Sequence, residues 1–309
     1  MHDPSLPPAP SGRALIPALR SMFSPLAELL LPYACLGCRH AGESLCPRCA
    51  EPLRAPAVRV RAGPGEWPEL RRHGIDEIVS VTEYDQHLAT LIHAWKDGGR
   101  LELTPILGQA LARSVDLLRR SPSSSGSSAA SGTSAASGNA PLLLVPVPSS
   151  RSGVRRRGVD VVHQLARTAA ARLRTGGDSV RAAAVLQQRA GVLDQAGLDR
   201  AARARNVGAA FAVRHEQWRR VSAALMRDIV RAGVAEAHIV VVDDVVTTGS
   251  SAAEAVRALR AALSEDRSGV EIGALSVVGV AAVGNTPRHG RAHPERPMFT
   301  LRTAAAGRR

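Results

Sequence analysis

Ile239-Val-Val-Val-Asp243-Asp244-Val-Val-Thr247-Thr248-Gly249-Ser250-Ser251 is the stretch on which the reading of this chain turns. An apolar run of β-branched residues predicts a buried strand, which passes through two adjacent acids into a loop of hydroxyls and glycine. A helix follows, with Ala252, Val256, Leu259 and Leu263 as its apolar stripe and Ser251 and Glu254 at capping-box spacing. Small residues at a helix N-terminus beyond a strand's carboxyl end make an anion site. Backbone N–H groups and the positive end of the helix dipole converge there, Gly249 permits close approach, and the Thr and Ser hydroxyls add donors. The pattern is neither the Gly-x-Gly-x-x-Gly of dinucleotide folds nor the Gly-x4-Gly-Lys-Ser/Thr of a P-loop.

Two carboxylates beside a bound phosphate would repel it unless they served another part of the ligand. A ribose supplies that part, because carboxylates accept hydrogen bonds from vicinal hydroxyls and can hold the water shell of Mg²⁺. A strand end followed by a helix cap would need one Ser or Thr and no second acid.

Outward from this stretch, the chain alternates strand-like and helical runs from Ile75 onward, the pattern of an α/β domain with a mostly parallel sheet. Ile78 to Val81 reads as a strand. Leu88, Leu91, Ile92 and Trp95 line one face of a helix, and Leu103, Leu107, Leu111, Val115 and Leu118 line the next, with Thr104 as its cap and Pro105 in its first turn. Strands are predicted at Leu142 to Val147, Val180 to Leu186, Ile239 to Val242 and Leu275 to Val283. A helix carrying Val162, Leu165, Ala166, Ala169 and Leu173 follows the first of these. The Ser/Gly/Ala tract 121–139 has too little apolar bulk to repay ordering and reads as a disordered insertion. Residues 1–25 read as a flexible lead-in, 26–56 as a small module, 75–285 as the α/β domain, and 286–309 as a loosely ordered basic tail with one edge strand near Met298 to Leu301.

The small module holds all four cysteines, in two Cys-x2-Cys knuckles, Cys35/Cys38 and Cys46/Cys49, with seven residues between them. Four thiolates suit tetrahedral Zn²⁺, and with every position filled the metal is structural. The gap is shorter than the roughly 15 to 20 residues of common zinc modules and implies a compact ribbon. Disulfides are disfavoured because nothing in the sequence points to an oxidising compartment.

Among its 309 residues, 45% are hydrophobic, enough to bury a full core, and only three Trp, two Tyr and three Phe contribute to it. The net charge of +13 favours phosphate-bearing partners without choosing among nucleotide, nucleic acid and phosphosugar. No run approaches the roughly 18 to 20 apolar residues of a membrane span, and the Pro-rich start lacks the features of a secretory signal, so a cytoplasmic location is expected. Nothing in the sequence fixes an oligomeric state.

The 239–251 stretch resembles the 13-residue signature of type I phosphoribosyltransferases. Joined to a zinc ribbon, the whole resembles the ComF family, also called GntX-like or competence-associated phosphoribosyltransferase-like proteins. Further likeness lies in Tyr84-Asp85 with Ala94-Trp-Lys96-Asp-Gly98-Gly99-Arg100, and in Val145-Pro-Val-Pro148 followed by Arg155-Arg-Arg157-Gly158. It extends to Arg189, Gln195, Leu198, Arg203, Asn206, Val207 and Phe211, which resemble the family's mobile loop over the diphosphate. Val159, Asp160 and Val161 replace the family's Phe-Asn-Gln.

The resemblance implies a type I phosphoribosyltransferase fold that binds 5-phosphoribosyl 1-diphosphate with Mg²⁺. Asp243 and Asp244 would take the ribose, Thr247, Thr248, Gly249, Ser250 and Ser251 the 5′-phosphate, and Arg157, Arg189 and Lys96 the diphosphate. Residue type alone leaves Arg155 to Arg157 equally readable as a solvated turn, Lys96 as a partner of its helix dipole, and His93 and His163 as packing residues. Transfer of the phosphoribosyl group to an acceptor is one implied activity, and no acceptor pocket is legible. A non-catalytic competence factor that senses the phosphosugar, or engages single-stranded DNA or the DNA-uptake machinery, is the other. The scarcity of aromatics for base stacking weighs against DNA.

Overall fold

A computed structural model of the chain describes residues 34–120, 140–189, 210–265 and 274–286. The Ser-rich tract, the N-terminal lead-in, the expected edge strand at Met298 to Leu301, and Gln195, Leu198, Arg203, Asn206 and Val207 lie outside the described residues. Contacts divide the chain into one unit ending at Cys49 and another beginning at Ala50. Among the described residues, no helix is long and apolar enough to cross a membrane.

The elements run α1 (Pro47–Arg54), β1 (Val58–Arg61), α2 (Pro68–Arg72), β2 (Glu77–Ser80), β3 (Thr82–Glu83), α3 (Gln86–Lys96), a 3-10 turn (Leu101–Leu103) and α4 (Thr104–Arg119). They continue as β4 (Leu142–Pro146), α5 (Arg151–Arg157), α6 (Val161–Arg174), β5 (Val180–Ala182), β6 (Leu186–Gln188), β7 (Phe211–Val213), α7 (His215–Ala232), β8 (Ala237–Val246), α8 (Ser250–Glu265) and β9 (Leu275–Asn285).

The main sheet has the order β1-β2-β9-β8-β4-β5, with β3 also against β9, and β6 and β7 form a separate antiparallel pair. Among the described residues, only β1 pairs antiparallel within the main sheet; β2, β9, β8, β4 and β5 run parallel. This is the mostly parallel α/β architecture the sequence predicts. A strand covered on both faces must be apolar along its whole length. Val240, Val241 and Val242 of β8, and Leu143, Leu144 and Val145 of β4 and its neighbour positions, are accordingly fully buried. Ile239 and Val241 join a core with Val256 and Leu259 of α8 and Leu225 and Ile229 of α7. On the opposite face α4 and α6 pack against each other, α4 over β9 and α6 over β4.

Two local expectations fail for identifiable reasons. Thr104 does not cap α4: it is buried inside the first turn, where its Oγ1 accepts the indole N–H of Trp95 at 2.9 Å. Val180 to Leu186 is not one strand, because the chain leaves the main sheet after Ala182, and Leu186 starts the separate pair with Val213.

The topology also locates a crevice. From β4 the chain moves outward to β5, then returns to place β8 on the other side of β4. Open α/β sheets bind ligands beyond the carboxyl ends of strands at such a reversal, because the connecting loops diverge there. The loops at this point are Val147 to Ser150 after β4 and Thr247 to Gly249 after β8.

Candidate functional site

β8 outruns β4. The last ladder contact between them is the bond from the Val147 N–H to the Val242 carbonyl, while β8 continues against β9 to Val246. Asp243 and Asp244 therefore sit where β8 has lost one neighbour. Asp244 is buried, and its N–H donates to Asp243 Oδ1 at 2.9 Å.

Lys96, in the last turn of α3, supplies the countercharge. Its Nζ donates to Asp244 Oδ1 at 2.8 Å and to Oδ2 at 2.9 Å. α3 is oriented for this by Asp85, which caps its start by accepting the Leu88 N–H, and by Trp95, which is fully buried. Burial disfavours the Lys96 ammonium, but the charges of Asp244 and Asp243 outweigh it and hold its pKa above the ordinary lysine value. Burial likewise pushes Asp244 up, yet the Lys96 charge and hydrogen bonds from both neighbours bring it below the usual carboxylate range. Asp243 takes the opposite course: desolvation, then the adjacent Asp244 charge, pushes it well above that range. Two adjacent acids thus differ in proton affinity, and Asp244 is the one hydrogen-bonded to the lysine.

Arginines close another side. α5 is capped at Ser150, which accepts the Gly153 N–H, and ends at Gly158 in the left-handed conformation. The Arg157 guanidinium folds back along α5 into space that a side chain at Gly153 would fill, its Nη2 being 2.8 Å from that Cβ position. Arg157 Nη1 is 3.5 Å and Arg156 Nη2 3.1 Å from Asp97 Oδ1. The Arg157 Nε is buried with no hydrogen-bond partner among the described residues. Arg157 also acts on Lys96 through its charge. Arg189 is exposed at the end of β6, and its backbone N–H donates to the Ala210 carbonyl.

The Thr247 to Ser251 loop is the third side. Thr247 and Thr248 are exposed, Thr248 Oγ1 lies 3.1 Å from Ser250 Oγ, and α8 begins at Ser250. The Ala253 N–H bonds to the Gly249 carbonyl at 2.8 Å. The N–H groups of Ser250, Ser251 and Ala252 precede that first helical bond and have no acceptor within the helix. The expected Ser251–Glu254 capping box does not form. Glu254 is buried, accepts the Phe211 N–H at 3.0 Å and pairs with Arg257, because β7 packs on this part of α8.

The structure thus brings together Lys96, Arg157, Asp243 and Asp244 in one electrostatic cluster, with the hydroxyl loop following directly from β8. Among the described residues, Arg189 has no such link. His93 is not a packing residue: its side chain is 71% exposed, 3.7 Å from Asp97. His163 is half-buried, and burial lowers its pKa. Asp160, which stands in the Phe-Asn-Gln positions, caps α6 by accepting the His163 N–H and also takes the Ser149 hydroxyl at 2.8 Å. Residue patterns gave no sign of Trp67 and Thr286, whose Nε1 and Oγ1 donate to the Thr247 carbonyl at 3.0 and 3.2 Å. Both are remote in sequence from the loop.

In the N-terminal unit, the sulfurs of Cys35, Cys38, Cys46 and Cys49 lie within 4.8 Å of one another. Cys38 and Cys46 Sγ are 3.7 Å apart, and the Cys46 N–H points to Cys35 Sγ at 3.4 Å. A tetrahedron with metal–sulfur bonds of about 2.3 Å has edges of about 3.8 Å, so the cluster fits one metal ion. Burial pushes the Cys35 thiol up, but N–H groups of Cys38, Cys46 and Gly37 outweigh it and lower its pKa to about 6, favouring the thiolate. Burial pushes Cys49 up.

No known family profile matches the chain. The chain is similar to the DNA utilization protein YhgH of Salmonella typhimurium, with 29% identity over 224 residues that cover 70% of this chain and 78% of that protein.

Proposed function

We propose that this chain is a ComF-like phosphoribosyltransferase-type protein that binds 5-phosphoribosyl 1-diphosphate with Mg²⁺. One observation carries the reading: an acidic pair and a hydroxyl-rich helix N-terminus follow each other at the carboxyl end of β8, beside the topological reversal. The loop 247–251 takes the 5′-phosphate, and Asp243 and Asp244 accept hydrogen bonds from the ribose hydroxyls. Lys96 and Arg157 face the diphosphate, and Arg189 joins them from the β6 side. Mg²⁺, which prefers oxygen ligands, neutralises diphosphate charge when bound. The zinc reading of the four-cysteine cluster belongs to the same proposal, as a structural ion.

If the ligand is consumed, the bond from C1 of the ribose to diphosphate oxygen breaks and diphosphate leaves with the electron pair. A bond forms from C1 to the acceptor's nucleophilic atom, which gives up its proton. The chain's own part is positional and electrostatic: hold the ring by its hydroxyls, hold the phosphate, and present cations to the leaving group. Phosphorus NMR of the protein with 5-phosphoribosyl 1-diphosphate and Mg²⁺ tests this. Broadened and shifted ligand resonances support binding, and free diphosphate appearing over candidate acceptors identifies transfer. Unperturbed resonances at excess protein contradict the reading.

A role in DNA handling is the second reading, favoured by the name of the Salmonella relative and by the charge of +13. Arg151, Arg155 and Arg156 of α5 and Arg189 offer phosphate contacts on the crevice flank. Affinity for single-stranded DNA that falls steeply with salt, and that survives loss of both acids, distinguishes it from phosphosugar binding.

A further inference from the structure

Trp67 is strained and deeply buried, and it touches the anion loop. Its φ of 44° lies in the left-handed region, where a bulky side chain costs energy, and it is followed by Pro68, which opens the five-residue α2. Such a conformation persists only where surrounding contacts determine it, and it concentrates at functional sites. Here the contacts are specific. The indole is 5% exposed, and its Nε1 donates to the Thr247 carbonyl at 3.0 Å. Its Cδ1 lies 3.3 Å from where a Cβ on Gly249 would stand, and Leu70 Cδ1, three residues on, lies 2.7 Å from the same point. Gly249 is itself in the left-handed region at φ 73°.

A second donor converges on the same carbonyl. Thr286 Oγ1 is 3.2 Å from the Thr247 oxygen, and the Thr286 N–H bonds to the Val246 carbonyl at 3.1 Å. Behind it, Asn285 is buried and accepts the Ser80 hydroxyl at 2.7 Å. The Thr247 carbonyl is therefore drawn toward the indole and the end of β9. The next peptides are held against Trp67 and Leu70, and the hydroxyl face of the loop is left exposed. A small-residue loop left to itself would sample many conformations, and each would cost entropy to recover on binding an anion.

We infer that Trp67 is a positioning residue for the anion loop: its indole N–H and ring, with Leu70 and Thr286, fix the Thr247 to Ser251 backbone in the conformation that receives a phosphate group. The inference rests on the phosphosugar reading for the ligand's identity, but the brace can be measured without a ligand.

The test compares wild type with Trp67→Phe, which keeps a ring but removes the donor, and with Thr286→Val, which removes the second donor without altering the indole. Amide hydrogen exchange is followed in the full chain without ligand, and affinity for 5-phosphoribosyl 1-diphosphate with Mg²⁺ is measured alongside. Loss of one neutral hydrogen bond in each variant is expected to speed exchange of the Ala253 amide, whose acceptor is the Gly249 carbonyl of the loop, about tenfold, with the amides of β4 and α6 unchanged. Affinity should fall by a similar factor. Exchange at Ala253 that matches wild type in both variants overturns the inference, and so does acceleration spread evenly over the domain. Loop-confined acceleration with no ligand binding even by wild type upholds the brace and removes the phosphosugar reading.

Discussion

Lys96 Nζ reaches both carboxylate oxygens of Asp244, at 2.8 and 2.9 Å, so the end of helix α3 and the end of strand β8 are joined by one ion pair at the crevice. Asp244 is only 4% exposed at its side chain and Lys96 is 33% exposed, so the pair lies between a surface bridge and a core one. Removing one partner of such a pair strands the other charge, which costs more than the pair contributes net.

The two single variants should therefore each destabilise the protein, and the double variant should not sum them. Lys96→Met and Asp244→Asn are each expected to cost about 1–2 kcal/mol, a core-pair value reduced for the exposed lysine. Lys96→Met with Asp244→Asn should cost less than the sum of the two. Urea unfolding of the four proteins measures the coupling, and strict additivity would show that the pair does not interact energetically.

Asp243 should behave in the opposite sense. Its folded pKa is raised, so the stability it contributes is present below the ordinary value of about 3.9 and is lost as pH rises through the folded pKa. Keeping this carboxyl ionised is a burden on the fold. Asp243→Asn, which can still accept the Asp244 N–H, should raise stability by about 0.5–1 kcal/mol, or a few degrees in melting temperature. The same substitution should abolish phosphosugar binding, a trade of stability against function. A lower melting temperature at pH 7 would contradict the electrostatic account.

Asp228 supplies the ordinary case. Its bonds from Arg181, at 2.6 and 2.9 Å, outweigh desolvation and hold its pKa below the usual range. Stability from this pair is therefore fully present above about pH 4 and is lost as pH falls through the lowered folded value. The gap between wild type and Asp228→Asn, expected near 1 kcal/mol given the half-exposed arginine, should hold from pH 7 to about pH 4 and then shrink. A gap that widens on acidification would reverse the assignment.

The cysteine cluster predicts stoichiometric metal. Protein isolated under reducing conditions should carry one zinc per chain by elemental analysis, and cobalt substitution should give the intense visible spectrum of tetrahedral thiolate coordination. Cys38→Ser or Cys46→Ser should weaken retention against a chelator. Sub-stoichiometric metal in freshly prepared wild type would count against the site.

The central features were legible because they are local. β8 is apolar from Ile239 to Val242, and its two acids, loop and helix are contiguous, so the motif from Asp243 to Ser251 needs no knowledge of the fold. The cysteine knuckles are equally self-contained. What the sequence hid depends on long-range contact. Trp67 is 180 residues from Thr247, and a tryptophan before proline carries no sign of what its N–H will meet. Glu254 has capping-box spacing, yet β7 claims its carboxylate through the Phe211 N–H, a tertiary contact that overrides a local preference. Thr104 looks like a cap until Trp95 takes its hydroxyl. Val180 to Leu186 has the composition of one strand, and only the return of the chain through β7 shows why it divides.

Calorimetric titration with 5-phosphoribosyl 1-diphosphate in Mg²⁺ tests the central claim most directly, using wild type and a folded Asp243→Asn, Asp244→Asn double variant. The account predicts saturable binding with one site per chain, dependent on Mg²⁺ and lost in the variant. Absence of binding by wild type, or binding that the variant retains, would contradict it.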